Sequence, residues 1–75
     1  MVDRDRERVH LAQVDRHIAE TKDHIARQKE FIERLEQDGD ETDLAEKWLA
    51  ILEDTLATFE HHRELILERL KEPPP

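Results

Sequence analysis

Written in sevens, the first half of the chain repeats: His10-Leu11-Ala12-Gln13-Val14-Asp15-Arg16, then His17-Ile18-Ala19-Glu20-Thr21-Lys22-Asp23, then His24-Ile25-Ala26-Arg27-Gln28-Lys29-Glu30, then Phe31-Ile32-Glu33-Arg34-Leu35-Glu36-Gln37. Leu11, Ile18, Ile25 and Ile32 make one row of a seam, and Val14, Thr21, Gln28 and Leu35 make the other. A seven-residue period holds such rows on one side of a helix. The stripe is narrow, with a histidine or Phe31 beside it in each repeat. Thr21 and Gln28 are its polar members, and a polar residue in a seam sets register and oligomer state at some cost in stability. Both are therefore expected to set register. No Gly or Pro interrupts residues 3–37, which predicts a helix of about 50 Å at 1.5 Å per residue. Asp23 with Arg27 and Glu30 with Arg34 add support at i,i+4 spacing.

Gly39 ends this helix, because glycine suits the left-handed position just past a helix terminus. A turn over 38–41 leads to a second helix over 42–71, with Thr42 or Asp40 offering a capping oxygen. Asp40, Glu41, Asp43 and Glu46 gather where the second helix dipole favours negative charge. So short a loop between helices of similar length makes them antiparallel neighbours.

The second helix is apolar on two sides. Ala45, Leu49, Leu52, Leu56, Phe59, Ile66 and Leu70 follow a 3/4 spacing broken by Arg63, and Leu44, Trp48, Ile51 and Leu65 form a second row beside it. The narrow stripe of the first helix covers one of these rows. A lone hairpin would leave Trp48, Ile51 and Leu65 as an apolar patch of a kind monomers rarely keep. The pattern predicts an all-α antiparallel two-helix hairpin, a single domain over 1–75, that dimerises into a four-helix bundle with the second helices central. Leu44, Trp48, Ile51, Leu52, Leu56, Phe59, Leu65 and Ile66 are the expected oligomer interface. Pro73-Pro74-Pro75 cannot continue a helix, so residues 72–75 read as an extended tail.

Composition alone leaves disorder open, since 43% of the residues are charged and only 4% aromatic. The sustained helical spacing of Leu and Ile argues for order, because a solvated chain has no reason to keep it. At 75 residues one hydrophobic core yields only a few kcal/mol, so an extra source of stability is usual. With no cysteine there is neither a disulfide nor a thiolate metal site, which leaves self-association as the simplest source. The net charge is −8, and residues 38–75 hold eleven Asp/Glu against four Lys/Arg. Such a surface repels phosphate, so nucleic acid is not an expected partner. The longest apolar run, Trp48 to Leu52, is far short of the roughly 20 residues of a membrane span, and no apolar segment follows the N-terminal Asp/Arg run. The expectation is a cytoplasmic protein without membrane contact.

Five histidines invite a metal reading, and His61, His62 and Glu64 are its weak candidates. Chelation along a helix needs i,i+3 or i,i+4 spacing, whereas His10, His17 and His24 lie seven apart, about 10 Å. Glu7 with His10 matches one element of a di-iron bundle, but the polar seam residues Thr21 and Gln28 are not carboxylates. The simpler reading has the rings shielding the seam with a nitrogen in water. A pH-sensing role is the other alternative, because imidazoles at an interface rim charge as pH falls and repel across copies. Asp38-Gly39-Asp40-Glu41-Thr42-Asp43 resembles the opening of a calcium loop, yet Asp43 and Leu49 stand where an EF-hand needs glycine and a bidentate glutamate, so capping explains it better. There is no Cys, Ser or Tyr nucleophile and no Gly-rich phosphate loop, so no catalytic residue and no cofactor is assigned.

The run His17-Ile18-Ala19-Glu20 through Ile25-Ala26-Arg27-Gln28, then Ile32-Glu33-Arg34-Leu35-Glu36 and the Gly39–Thr42 turn, resembles small uncharacterised helical-hairpin proteins of α-proteobacteria. That resemblance implies a bacterial cytoplasm and carries no activity. In architecture alone the chain is similar to the Rop-type RNA-binding hairpin dimer, from whose function its acidic second helix departs. The leading expectation is a non-enzymatic, self-associating protein that presents charged helix faces to a protein partner. The alternatives are a metal- or ligand-binding bundle using His and Glu side chains, and an acidic mimic of nucleic acid.

Overall fold

A computed structural model of the chain describes residues 3–71, so the proline tail expected over 72–75 lies outside the described residues. The described residues form two helices, α1 (Arg4–Gln37) and α2 (Asp43–Lys71), packed side by side as an antiparallel hairpin. The molecule is a rod with Cα extents of 61 × 15 × 12 Å.

Each helix starts one residue later than the sequence pattern suggested, for the same reason. Asp3 and Thr42 are cap positions: their carbonyls accept from Glu7 N at 3.0 Å and Glu46 N at 2.8 Å, while the residues themselves precede the helices. The Asp3 carboxylate also accepts from the Arg6 N–H at 3.1 Å, satisfying one of the orphan donors of the first turn. At the other end α1 closes in a Schellman arrangement. Gly39, at φ +74°, donates to Glu36 O at 3.1 Å, and Asp40 N donates to Leu35 O at 2.9 Å. Asp40, expected as a possible cap of α2, thus belongs by its backbone to the end of α1.

All eight seam positions of α1 are buried or half-buried, with Val14, Thr21, Ile25 and Ile32 buried. The first row of α2 meets them. Ala45 is buried, Ile66 is fully buried, and Leu49, Leu52, Leu56, Phe59 and Leu70 are half-buried. Arg63, which interrupts that row, is half-buried and extends to Asp15 of α1 (Nε to Oδ1, 2.6 Å). The Gln28 side chain crosses the interface as well, donating to the Ala45 carbonyl at 2.9 Å. The Thr21 hydroxyl does not cross. It donates to the His17 carbonyl of its own helix at 2.7 Å, which satisfies a buried polar group one turn back. Asp23 and Arg27 form the i,i+4 ion pair that their spacing suggests.

Candidate interaction surface

The two flanks of the hairpin differ in chemistry. One is charged: Asp15, Lys22, Glu60, Arg63 and Glu64 surround a shallow hollow over Ile18. The other carries the second apolar row of α2 and the histidine row of α1. Around a helix of 3.6 residues per turn, the second row of α2 sits roughly 90° from the first, too far round for α1 to cover. Leu44 is 81% exposed, Trp48 56%, Ile51 52% and Leu65 41%. Phe31 of α1, 46% exposed, faces the same side and lines a groove of about 590 Å³ with Leu35, Leu44 and Trp48 at the turn end. Monomers tolerate single exposed apolar side chains but seldom a continuous row of large ones.

Toward the open end this flank becomes polar. His10, His17 and His62 line a second groove of about 530 Å³, with Gln13, Phe59, Glu7 and Arg69 completing it. The His17 ring stacks on Phe59, centroids 5.2 Å apart and planes 14° from parallel, so the imidazole covers an aromatic edge of the core. Glu7 stands one heptad before Val14 and so continues the seam row as a carboxylate. Its side chain is 15% exposed, with Oε1 3.3 Å from Arg69 Nε and Oε2 buried without a hydrogen bond. Extending the seam one heptad toward the N-terminus would have found it, and Arg69 is the cation at the matching height of α2.

The metal candidates are not brought together. His61 and His62 are both exposed, but neighbouring side chains on a helix diverge by about 100°, and of the two only His62 lines the histidine groove. Glu64 faces the charged flank. Among the described residues no group of three or more His, Asp or Glu side chains is arranged to hold a metal ion. The expected interface residues also divide. Leu44, Trp48, Ile51 and Leu65 are exposed, whereas Leu52, Leu56 and Phe59 are half-buried on the α1-facing row. Ile66, with no exposed surface, is a core residue of the single hairpin and has nothing left to offer a second copy.

No helix among the described residues is long and apolar enough to cross a membrane. Comparison with protein-family models, curated proteins and solved structures finds no match.

Proposed function

We propose that this chain is a non-enzymatic interaction module of the cytoplasm that works as a homodimer, with the flank bearing Leu44, Trp48, Ile51, Leu65 and Phe31 as its self-association surface. One observation carries the reading: four large apolar side chains of α2 stay 41% to 81% exposed in a row along one flank, together with Phe31 across the groove. Water disfavours that surface by about 25 cal/mol per Å² of apolar area, and a second copy removes it without needing any other molecule. The flank is also large enough. A face of 61 by 15 Å is on the order of 900 Å², comparable to the roughly 800 Å² per partner of a standard protein interface. The chain has no Cys, Ser or Tyr, and its Thr21, Thr55 and Thr58 hydroxyls donate to carbonyls of their own helices, which gives a nucleophilic mechanism no support.

Pairing through the apolar flank leaves the charged flank of Asp15, Lys22, Glu60, Arg63 and Glu64 outward, and this is the surface offered to a protein partner in a regulatory or adaptor role. The test is the concentration dependence of thermal unfolding. Coupled folding and dimerisation raise Tm as protein concentration rises. A Tm that stays fixed over a hundredfold change in concentration would overturn the dimer and with it the role.

A further inference from the structure

Charge is distributed unevenly along the rod. Between Glu33 and Lys47, around the turn, seven carboxylates (Glu33, Glu36, Asp38, Asp40, Glu41, Asp43, Glu46) face two cations, Arg34 and Lys47. At the open end, over residues 3–10 and 64–71, five carboxylates are matched by five cations, Arg4, Arg6, Arg8, Arg69 and Lys71. Five of the eight net negative charges therefore sit at one tip, and the open end is neutral.

Two such rods can stack through the apolar flank in two symmetric ways. With turns at the same end, the seven-carboxylate tips lie side by side at an interhelical distance of 8–10 Å, about one Debye length at physiological salt, where like charges still repel. The same alignment lays α2 of one copy over α1 of the other, setting the apolar row on exposed imidazoles. With turns at opposite ends, the acidic tip of each copy meets the arginine-bearing open end of the other, and α2 lies on α2. The α2 row then pairs with itself about a centre at Thr55: Leu44 beside Leu65 of the second copy, with Trp48 beside His62 and Ile51 beside Thr58 between them.

Resting on the self-association reading above, we infer that the dimer is antiparallel, with its two-fold axis passing near Thr55 and the acidic turn of each copy seated against the open end of the other. Relief of the repulsion between two acidic tips selects this alignment, and so does the contact of Leu44 with Leu65 at both ends of the row. It brings His10 of one copy near Phe31 of the other, so the histidine groove and the turn-end groove become one composite surface.

The native chain has no cysteine, so single-cysteine variants at exposed outer positions carry spin labels there alone. Glu53→Cys lies close to the centre and Glu68→Cys thirteen residues from it, both outside the pairing row. At 1.5 Å per residue, the antiparallel dimer puts the two position-68 labels roughly 40 Å apart and the two position-53 labels within roughly 25 Å. Short and similar distances at both positions would overturn the antiparallel alignment while leaving the dimer standing. Absence of any intermolecular dipolar signal from either variant would overturn self-association itself.

Discussion

Ile51→Glu is the sharpest perturbation of the proposed surface. Fully burying an isoleucine side chain stabilises by about 1.5–3 kcal/mol. The hairpin leaves Ile51 52% exposed, so a second copy recovers about half of that, roughly 1 kcal/mol per side chain and roughly 2 kcal/mol per symmetric dimer. A glutamate there loses this term and places two carboxylates in an apolar interface without partners, which adds several kcal/mol. The combined loss of about 5 kcal/mol or more weakens association over a thousandfold, since each 1.4 kcal/mol is a factor of ten. Ile51→Ala separates surface from fold: alanine favours helix more than isoleucine does, and losing only the apolar term predicts a dimer about 30-fold weaker with helicity retained. Sedimentation velocity across a concentration series reads the mass, and far-ultraviolet circular dichroism reads the helix. A glutamate variant with the mass and helicity of the parent would show that Ile51 faces water, because a carboxyl group buried without a partner costs free energy whether it stays charged or takes up a proton.

Three further substitutions probe the hairpin itself. Ile66→Ala removes the fully buried side chain and should cost about 2–5 kcal/mol, visible as a large fall in the urea midpoint; a loss under about 0.5 kcal/mol would mean the core does not centre there. Gln28→Ala deletes the donor to the Ala45 carbonyl, which keeps its own place in the α2 ladder, so denaturation should show a loss of only about 1 kcal/mol. Gly39→Ala meets no neighbouring atom within 4 Å, so its cost of about 1 kcal/mol is purely that of forcing an L-residue to positive φ, and the variant should melt lower with unchanged helix content.

The periodicity made the hairpin legible because each helix has to bury a continuous stripe, and a heptad row is a one-dimensional record of that stripe. The same arithmetic separated the exposed row of Leu44, Trp48, Ile51 and Leu65 from the covered one. Gly39 was readable because few residues adopt its backbone geometry. What escaped was choice of partner across the helices. Asp15 and Arg63 stand 48 positions apart, and Glu7 and Arg69 farther still, so nothing local marks either pair; only the antiparallel register brings them to one height. Thr21 and Gln28 look alike as polar seam residues. They differ in reach, since a short hydroxyl bonds back to its own helix while a longer amide spans to the next. Ile66 lies on the 3/4 row of Ala45 and Leu49, and because that row faces α1, Ile66 belongs to the core and not to the expected interface.

In the proposed dimer one flank of this hairpin is covered by a second copy. Sedimentation equilibrium of the purified chain at micromolar concentration tests it most directly. A folded helical species of twice the 9.0 kDa chain mass is expected, and a compact, cooperatively folding species of 9.0 kDa would overturn the dimer.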